Sequence, residues 1–200
     1  PSALQSMLFS SISMVIARLI AGWGDAAVAV QKVGSQIESI SWMTAEGYAA
    51  ALNSFVAQNY GAKNKKRIME GYRISLIAMI VWGLFCSFVL IVFPEFIFEI
   101  FIREPDVLPL GVDYLRILGV SQMFMCIEYS AAGAFNGLGK TLPPSIVSIT
   151  LTAARIPMAI VLSNILGLNG IWWAITISSI LKGVTLVSIY LIKMRKFEFA

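Results

Sequence analysis

The chain has 200 residues, of which 58% are hydrophobic and only 13% are charged, and its formal net charge is +4. Soluble domains carry about a quarter charged residues, so this composition excludes an ordinary soluble protein and favours a membrane protein. Histidine is absent, and Cys86 and Cys126 lie far apart in apolar stretches. That spacing excludes a disulfide framework and a cysteine metal motif, and we expect two buried, reduced thiols.

Six apolar segments follow one another along the chain. Each is long enough to cross a bilayer, which takes about 20 helical residues, and backbone groups in lipid are satisfied only within a helix or a closed barrel. The segments cover residues 2–21, 26–60, 74–93, 107–135, 144–166 and 171–192. The sequence therefore predicts an all-α, polytopic membrane protein with six transmembrane helices in a single domain over residues 1–200.

Several residues predict where these helices end or bend. Gly61 is placed to cap the second segment, and Pro157 is expected to kink the fifth. The acidic and aromatic stretch after Pro94 predicts a short interfacial helix. The chain starts at Pro1, inside a hydrophobic segment and without a signal peptide, so we expect it to be a piece of a longer protein.

The connections between segments alternate in charge. Residues 63–67, Lys140 and residues 193–196 are basic, whereas Asp25 and residues 95–106 make the other connections acidic. Basic connections face the cytoplasm in most membrane proteins. We therefore expect a multi-pass protein of the cytoplasmic (inner) membrane with both termini inside.

The triplet Gly139-Lys140-Thr141 matches the end of a phosphate-binding P-loop. A complete P-loop has a first glycine five residues before Gly139, where this chain has Ala134, and it lies between a strand and a helix. Here an apolar helix precedes the triplet and Pro143 and Pro144 follow it. The glycines therefore predict a tight turn between two helices. We expect no nucleoside triphosphatase or other enzyme activity.

Two motifs resemble those of the multidrug and toxic compound extrusion (MATE) transporters. The stretch "FVAQNYGAKNKKRI" (55–68) resembles the family's V-G-Q-N-x-G-A-x pattern, with Ala57 in place of a glycine. The stretch "GAFNGLGKTLPPSI" (133–146) resembles its R-G-x-G-D-T-x-x-P turn, with Asn136 and Lys140 as the differing residues. The positions that match these motifs are Gln58, Asn59, Gly61, Ala62, Gly137, Gly139, Thr141 and Pro144.

This resemblance implies one six-helix lobe of a twelve-helix, two-lobe transporter, and the turn motif favours the carboxy-terminal lobe. The family's lobes enclose a central cleft and exchange substrates for H+ or Na+. The implied function is half of a cation-coupled antiporter that exports drugs or organic cations by alternating access. Its partners would be membrane lipid, the missing amino-terminal lobe and a small cationic substrate, with no nucleic acid and no cofactor beyond the transported H+ or Na+.

Ionisable side chains inside the segments are candidate functional groups, because a charge in hydrocarbon costs about 2.5 kcal/mol or more. Met125 joins them, because many relatives have an acid at that position, one helical turn from Glu128. Relatives also carry an acid near Phe9 or Ser10, which this chain lacks. The candidates for ion coupling or for the substrate cleft are Glu38, Glu46, Met125, Glu128, Arg155 and Lys182.

Glu128 is the favoured coupling residue, and the alternative is a structural ion pair with Lys182 or Arg155. Glu38 and Glu46 have a similar alternative, a pair with Lys32 or a polar contact between lobes. Trp172 and Trp173 are expected to anchor the chain at the membrane interface. Met14, Met43, Met123 and Met125 either line a cleft or fill the core.

Two other functions remain open from the sequence. A lobe of a lipid-linked oligosaccharide flippase would use cations such as Arg155 and Lys182 to hold pyrophosphate. A membrane scaffold without transport would need no charges inside its helices.

Overall fold

The computed structural model describes residues 2–195, with side chains from residue 7 onward. Pro1 and residues 196–200, including Lys196 of the predicted basic terminus, lie outside the described residues. The described chain is helical and has no strand, which confirms the all-α prediction. Its helices are α1 (Ser2–Ala21), α2 (Asp25–Gly61), α3 (Lys65–Val92), α4 (Pro94–Glu99), α5 (Leu108–Gly119), α6 (Gln122–Gly137), α7 (Leu142–Ala153), α8 (Arg155–Leu166) and α9 (Leu168–Arg195).

Several of these helices are suited to a bilayer. In the described part of the chain, α3, α9 and the stretch Leu142–Leu166 are long and apolar enough to cross a membrane. The helices α5 and α6 make a fourth crossing if they are taken together, although they bend by 45°. The remaining two segments differ, because α1 offers a shorter apolar helix, Met7–Ala21, and the 37-residue α2 carries charged and polar side chains along its length.

The predicted fourth segment, residues 107–135, is not continuous. It breaks between α5 and α6 at Val120 and Ser121, a break that no proline marks in the sequence. The Ser121 hydroxyl and the Ser121 backbone N–H both donate to the Leu118 carbonyl, each at 3.0 Å, which closes a tight turn in place of the helical pattern. The break leaves Gln122 at the start of α6.

The predicted kink in the fifth segment is present as an interruption at Ala154, between α7 and α8. Pro157 lies three residues further on, and a proline ring excludes a regular helix around the carbonyl four residues before it. This interruption puts Arg155 in the first turn of α8, inside the helical bundle.

The turn between α2 and α3 differs in detail from the prediction. Gly61 is still helical, and the residue with the left-handed backbone is Lys63, whose φ is 53°. The helix α3 begins at Lys65, nine residues before the apolar segment, because the Asn64 side chain caps it by accepting from the Arg67 N–H at 3.1 Å. After α3, the short helix expected beyond Pro94 is α4.

Two hydrophobic clusters lie at opposite ends of the helical bundle. One packs Val56, Ile68, Phe135 and Tyr190 beside the basic connections, and we call this the basic end. The other surrounds Trp172 beside the acidic connections, and we call this the acidic end. The charge alternation read from the sequence is therefore an asymmetry between the two ends of the folded lobe.

Close helix packing holds α2 against α6. A Cβ atom on Gly133 would lie 2.5 Å from the Ala49 carbonyl oxygen, and one on Gly137 would lie 2.6 Å from that of Asn53. Glycine is needed at both positions because any side chain there would push the two backbones apart. This contact fixes the acids of α2 beside Glu128, the acid of α6.

Candidate functional site: buried charges between the helices

Glu128 forms a buried ion pair. Its Oε2 lies 3.3 Å from the Nζ of Lys182, and the two side chains are only 14% and 9% exposed. Gly183 allows this approach, because it packs directly against the backbone of Phe124, one turn before Glu128 on α6. Of the two alternatives for Glu128, the structure therefore shows the ion pair with Lys182.

Arg155 lies near this pair but bonds to serines of α9. Its Nε donates to Ser178 Oγ at 2.5 Å, and its Nη2 donates to Ser179 Oγ at 3.1 Å. Its charge still interacts with those of Glu128 and Glu38. The guanidinium thus connects the two acids electrostatically while its hydrogen bonds go to neutral groups.

Glu38 has only neutral hydrogen-bond donors. The Tyr114 hydroxyl donates to its Oε2 at 3.4 Å, and the Gln122 Nε2 donates to its Oε1 at 3.1 Å. Among the described residues, no lysine or arginine forms a salt bridge with it. The two donors come from α5 and α6, so the Glu38 carboxyl joins both halves of the broken helix.

Gln122 is itself incompletely bonded. Its side chain is 2% exposed, and its Nε2 donates to Glu38 and, at 3.4 Å, to the Leu118 carbonyl. Its Oε1 is buried and has no hydrogen-bond partner. Buried amide oxygens are nearly always bonded, so this oxygen is an acceptor that a donor or a cation would satisfy.

An aromatic wall supports Tyr114. Its ring meets that of Trp172 edge-on, with ring centroids 5.2 Å apart, and the Trp172 indole N–H donates to Gln31 Oε1 at 3.1 Å. Trp172 is fully buried, so the expectation that it anchors the chain at the membrane interface is wrong. Its indole instead fixes the ring that donates to Glu38, while Trp173 is half-buried.

The other candidates lie apart from this cluster. Glu46 is exposed on α2, and neither it nor Glu38 pairs with Lys32, which is also exposed. Met125 and Met123 are half-buried on α6, whereas Met14 and Met43 are 74% and 60% exposed.

The family-motif residues build turns at the basic end. The Asn59 side-chain amide donates to the Phe55 carbonyl at 2.8 Å, and the Asn59 backbone carbonyl accepts from the Asn64 N–H at 2.9 Å. Asn59 thus closes the turn that contains Gly61 and Ala62. Gly139 has a φ of 70°, a conformation that favours glycine. Of the remaining positions, Gln58 is exposed and Gly137 packs against α2. Thr141 lies just before α7, and Pro144 is buried in the first turn of α7.

The P-loop interpretation is excluded by the same region. A helix, α6, precedes Gly139, and no strand occurs in residues 2–195. The Lys140 N–H donates to the Phe135 carbonyl at 3.0 Å, so this backbone donor closes the turn. The stretch has the geometry of a connection between two membrane helices.

Sequence reasoning did not identify the neutral half of the site. Tyr114, Gln122, Ser178, Ser179 and Gln31 carry the hydrogen bonds to Glu38, Arg155 and Trp172. A usable signal was Gln122, an amide in the middle of a segment otherwise suited to lipid. Both cysteines are free thiols, but only Cys126 is buried as expected, with its Sγ 3.8 Å from Ser41 Oγ, whereas Cys86 is half-buried.

A bundle of apolar helices with a buried ion pair in its interior has the architecture of one lobe of a polytopic membrane transporter. The model of the MatE family matches residues 1–161, and the chain belongs to the MATE family. Members of this family are multi-pass integral membrane proteins and transporters, not enzymes.

Individual relatives agree with this assignment. "Probable multidrug resistance protein NorM" of Thermotoga maritima is 31% identical over 179 residues, which cover 86% of this chain and 38% of that protein. The "FAD transporter" of Shewanella oneidensis is 25% identical over 185 residues, or 92% of this chain and 41% of that protein. The chain therefore spans about two fifths of the length of the curated relatives that it matches.

The fold also matches a solved transporter structure over nearly the whole of this chain but less than half of the other. The MATE transporter VcmN of Vibrio cholerae, in its bent form, superposes with a TM-score of 0.84 at 24% sequence identity. The match covers 96% of this chain and 44% of VcmN. This coverage agrees with one lobe of a two-lobe transporter.

Proposed function

We propose that this lobe is the carboxy-terminal half of a cation-coupled antiporter that exports small organic cations by alternating access. The family assignment supports transport. The buried charges support coupling to H+ or Na+, because charges inside membrane helices are costly to insert and generally mark functional sites. The second lobe of the same protein would complete the cleft, since midplane sites of repeat-built transporters lie between the repeats.

The observation that carries this proposal is a polar face on α2. Exposed residues recur along this helix at spacings of three, four and seven, so they share one face, and they include an ionisable group. They include Lys32, Gln36, Met43, Glu46, Ala50 and Ser54. A face with a carboxyl group is unsuited to lipid, so we assign it to the cleft or to the contact with the second lobe, where Glu46 would attract a cationic substrate.

The flippase alternative has less support from the geometry. It requires free cations to hold pyrophosphate, but Lys182 pairs with Glu128 and Arg155 bonds to Ser178 and Ser179. A membrane scaffold without transport would leave the interior charges without a role. Gradient-driven export of an organic cation by the full-length protein would argue against both alternatives.

The test uses the full-length protein in proteoliposomes, with ethidium as a fluorescent organic cation. We expect ethidium to be moved against its gradient when an opposing H+ or Na+ gradient is imposed. Glu46→Gln should raise the KM for ethidium several-fold, and this isolated lobe should show no transport. Absence of ethidium movement under either gradient would contradict the proposal.

We also propose that the lobe lies in the inner membrane with its basic end and both termini in the cytoplasm, because Lys and Arg in short connections favour that side. Lys66 is suited to a test, since its side chain is 88% exposed at the basic end. In intact cells, Lys66→Cys should resist a membrane-impermeant thiol reagent and react only after permeabilisation. Labelling of intact cells would reverse the orientation.

A further inference from the structure

We propose that Glu38, Gln122 and Tyr114 form a binding site for one monovalent cation, either a proton or Na+. The site deepens the proposed function and rests on it for the role of the cation in transport. Its ligands come from three helices of this lobe, α2, α5 and α6.

The first argument is charge balance. The groups that face Glu38 are the phenol of Tyr114 from α5, the neutral amide of Gln122 from α6, and the more distant guanidinium of Arg155 from α8. Arg155 gives its hydrogen bonds to serines, and no lysine or arginine side chain within residues 7–195 forms a salt bridge with the Glu38 carboxyl. A half-buried carboxylate in this position gains stability from a bound proton or from a small cation.

The second argument is the unsatisfied amide oxygen of Gln122. Its Nε2 points to Glu38, and its buried Oε1 has no partner. The two ends of an amide group are similar in shape, so rotation about the last bond would turn Oε1 towards Glu38 without needing extra space. Two oxygens would then repel each other unless a proton or a cation lay between them.

Each cation satisfies this rotated arrangement. A protonated Glu38 would donate its O–H to Gln122 Oε1. A Na+ ion would be held by oxygens from Glu38, Gln122 and Tyr114, which are the ligands that hard cations prefer. In both cases Oε1 gains a partner and the charge of Glu38 is neutralised, while Nε2 gives up its hydrogen bonds to Glu38 and to the Leu118 carbonyl.

The third argument is position. Tyr114 and Gln122 flank the break at Val120 and Ser121, so the occupant of the site contacts both halves of the broken helix. Binding would exchange a hydrogen bond on one side of the break for a cation contact. The 45° bend between α5 and α6 is therefore the element that cation binding would bias.

The test measures binding directly, without a transported substrate, in the purified full-length transporter. Infrared difference spectra between acidic and alkaline buffer, in choline chloride, detect the C=O band of a buried carboxylic acid. We expect Glu38→Gln to lose one such band. Glu70→Gln, which removes an exposed carboxyl at the basic end, should keep it. Addition of NaCl should abolish the band if Na+ competes at the site and leave it unchanged if the site takes only protons.

A second variant covers the case in which Glu38→Gln fails to fold. Gln122→Met keeps the Glu38 carboxyl and fills a similar volume but lacks the amide oxygen. We expect the apparent affinity of the site for its cation to fall at least about tenfold, as is typical when a hydrogen bond to a charged group is lost. An unchanged affinity in Gln122→Met, or a full band in folded Glu38→Gln, overturns the site.

These outcomes separate the site from the proposed function. If wild-type protein exports ethidium while Glu38→Gln keeps its band, the site is wrong and the export function stands. If the band depends on Glu38 but the wild type exports nothing under any gradient, the site stands and the function is wrong.

Discussion

Glu128 and Glu38 are two acids on neighbouring helices with opposite kinds of partner. Glu128 faces the ammonium of Lys182 at 3.3 Å, whereas Glu38 faces a phenol and an amide. A carboxylate with a cation in contact is already neutralised and has little reason to bind another. A carboxylate with only neutral donors keeps a net charge that a mobile cation can compensate.

On the proposed cation site, this difference gives the two acids separate roles. The pair of Glu128 and Lys182 joins α6 to α9 and holds the lobe together. The cluster around Glu38 joins α2 to both sides of the α5–α6 break, where a change of charge affects the bend. We therefore expect the chemistry of its partners, and not burial alone, to distinguish a coupling residue from a structural one.

The largest effect is expected from Lys182→Met, which leaves Glu128 buried without its cation. Loss of one partner of a buried pair costs about 3–5 kcal/mol, so the thermal denaturation midpoint in detergent should fall sharply. The matched control is Lys193→Met, an exposed lysine on the same helix, which should have little effect. If the two variants had the same denaturation midpoint, the pair of Glu128 and Lys182 would have no structural role.

The double variant Glu128→Leu/Lys182→Met sharpens this prediction. Replacement of a whole buried pair by apolar side chains of similar size is often neutral or stabilising. We expect the double variant to melt near the wild-type temperature, well above Lys182→Met alone. A double variant as unstable as the single one would show that the helix contact, and not the charge pairing, determines stability.

An intermediate effect is expected from Gly34→Ala, because a Cβ at Gly34 would overlap the ring of Tyr114. Overpacking of this kind costs about 1–3 kcal/mol and would displace the hydroxyl that donates to Glu38. Gly47→Ala on the same helix has no atom within 4 Å of its new Cβ and should be neutral or stabilising by up to about 1 kcal/mol. Thermal denaturation of both variants measures this difference in stability. A Gly47→Ala variant as destabilised as Gly34→Ala would contradict the prediction.

The smallest effect on stability is expected from Glu38→Gln. No buried cation loses its contact, and the new amide can still accept from Tyr114, so the free energy of unfolding should change by less than about 1 kcal/mol. A drop as large as that of Lys182→Met would show that Glu38 is also a structural anchor, and the contrast between the two acids would disappear. Melting of the two variants side by side decides this.

Much of the fold followed from the sequence because it depends on local patterns. Apolar length predicted the helices, Pro157 predicted the interruption before α8, and the basic connections predicted one charged end. The break at Val120 and Ser121 was missed because no proline marks it, and serine is common inside membrane helices. The role of Trp172 was misjudged because burial depends on its contacts with Tyr114 and Gln31, from other helices.

The candidate site was only partly predictable for a related reason. The ionisable residues stand out in apolar segments, so Glu38, Glu128, Arg155 and Lys182 were all candidates, and the pairing of Glu128 with Lys182 was one of the alternatives. Their ranking depended on which neighbours they meet. Tyr114 and Gln122 lie 76 and 84 residues from Glu38 along the chain, a separation that no local pattern bridges.

The most direct measurement of the central claim is gradient-driven export by two variants of the full-length protein in proteoliposomes. One is Glu38→Gln, and the other is the apolar double variant Glu128→Leu/Lys182→Met. We expect the double variant to export ethidium at a rate that still depends on the imposed H+ or Na+ gradient, and Glu38→Gln to lose that dependence. Loss of the dependence in the double variant, with normal coupling in Glu38→Gln, would instead assign the cation to Glu128.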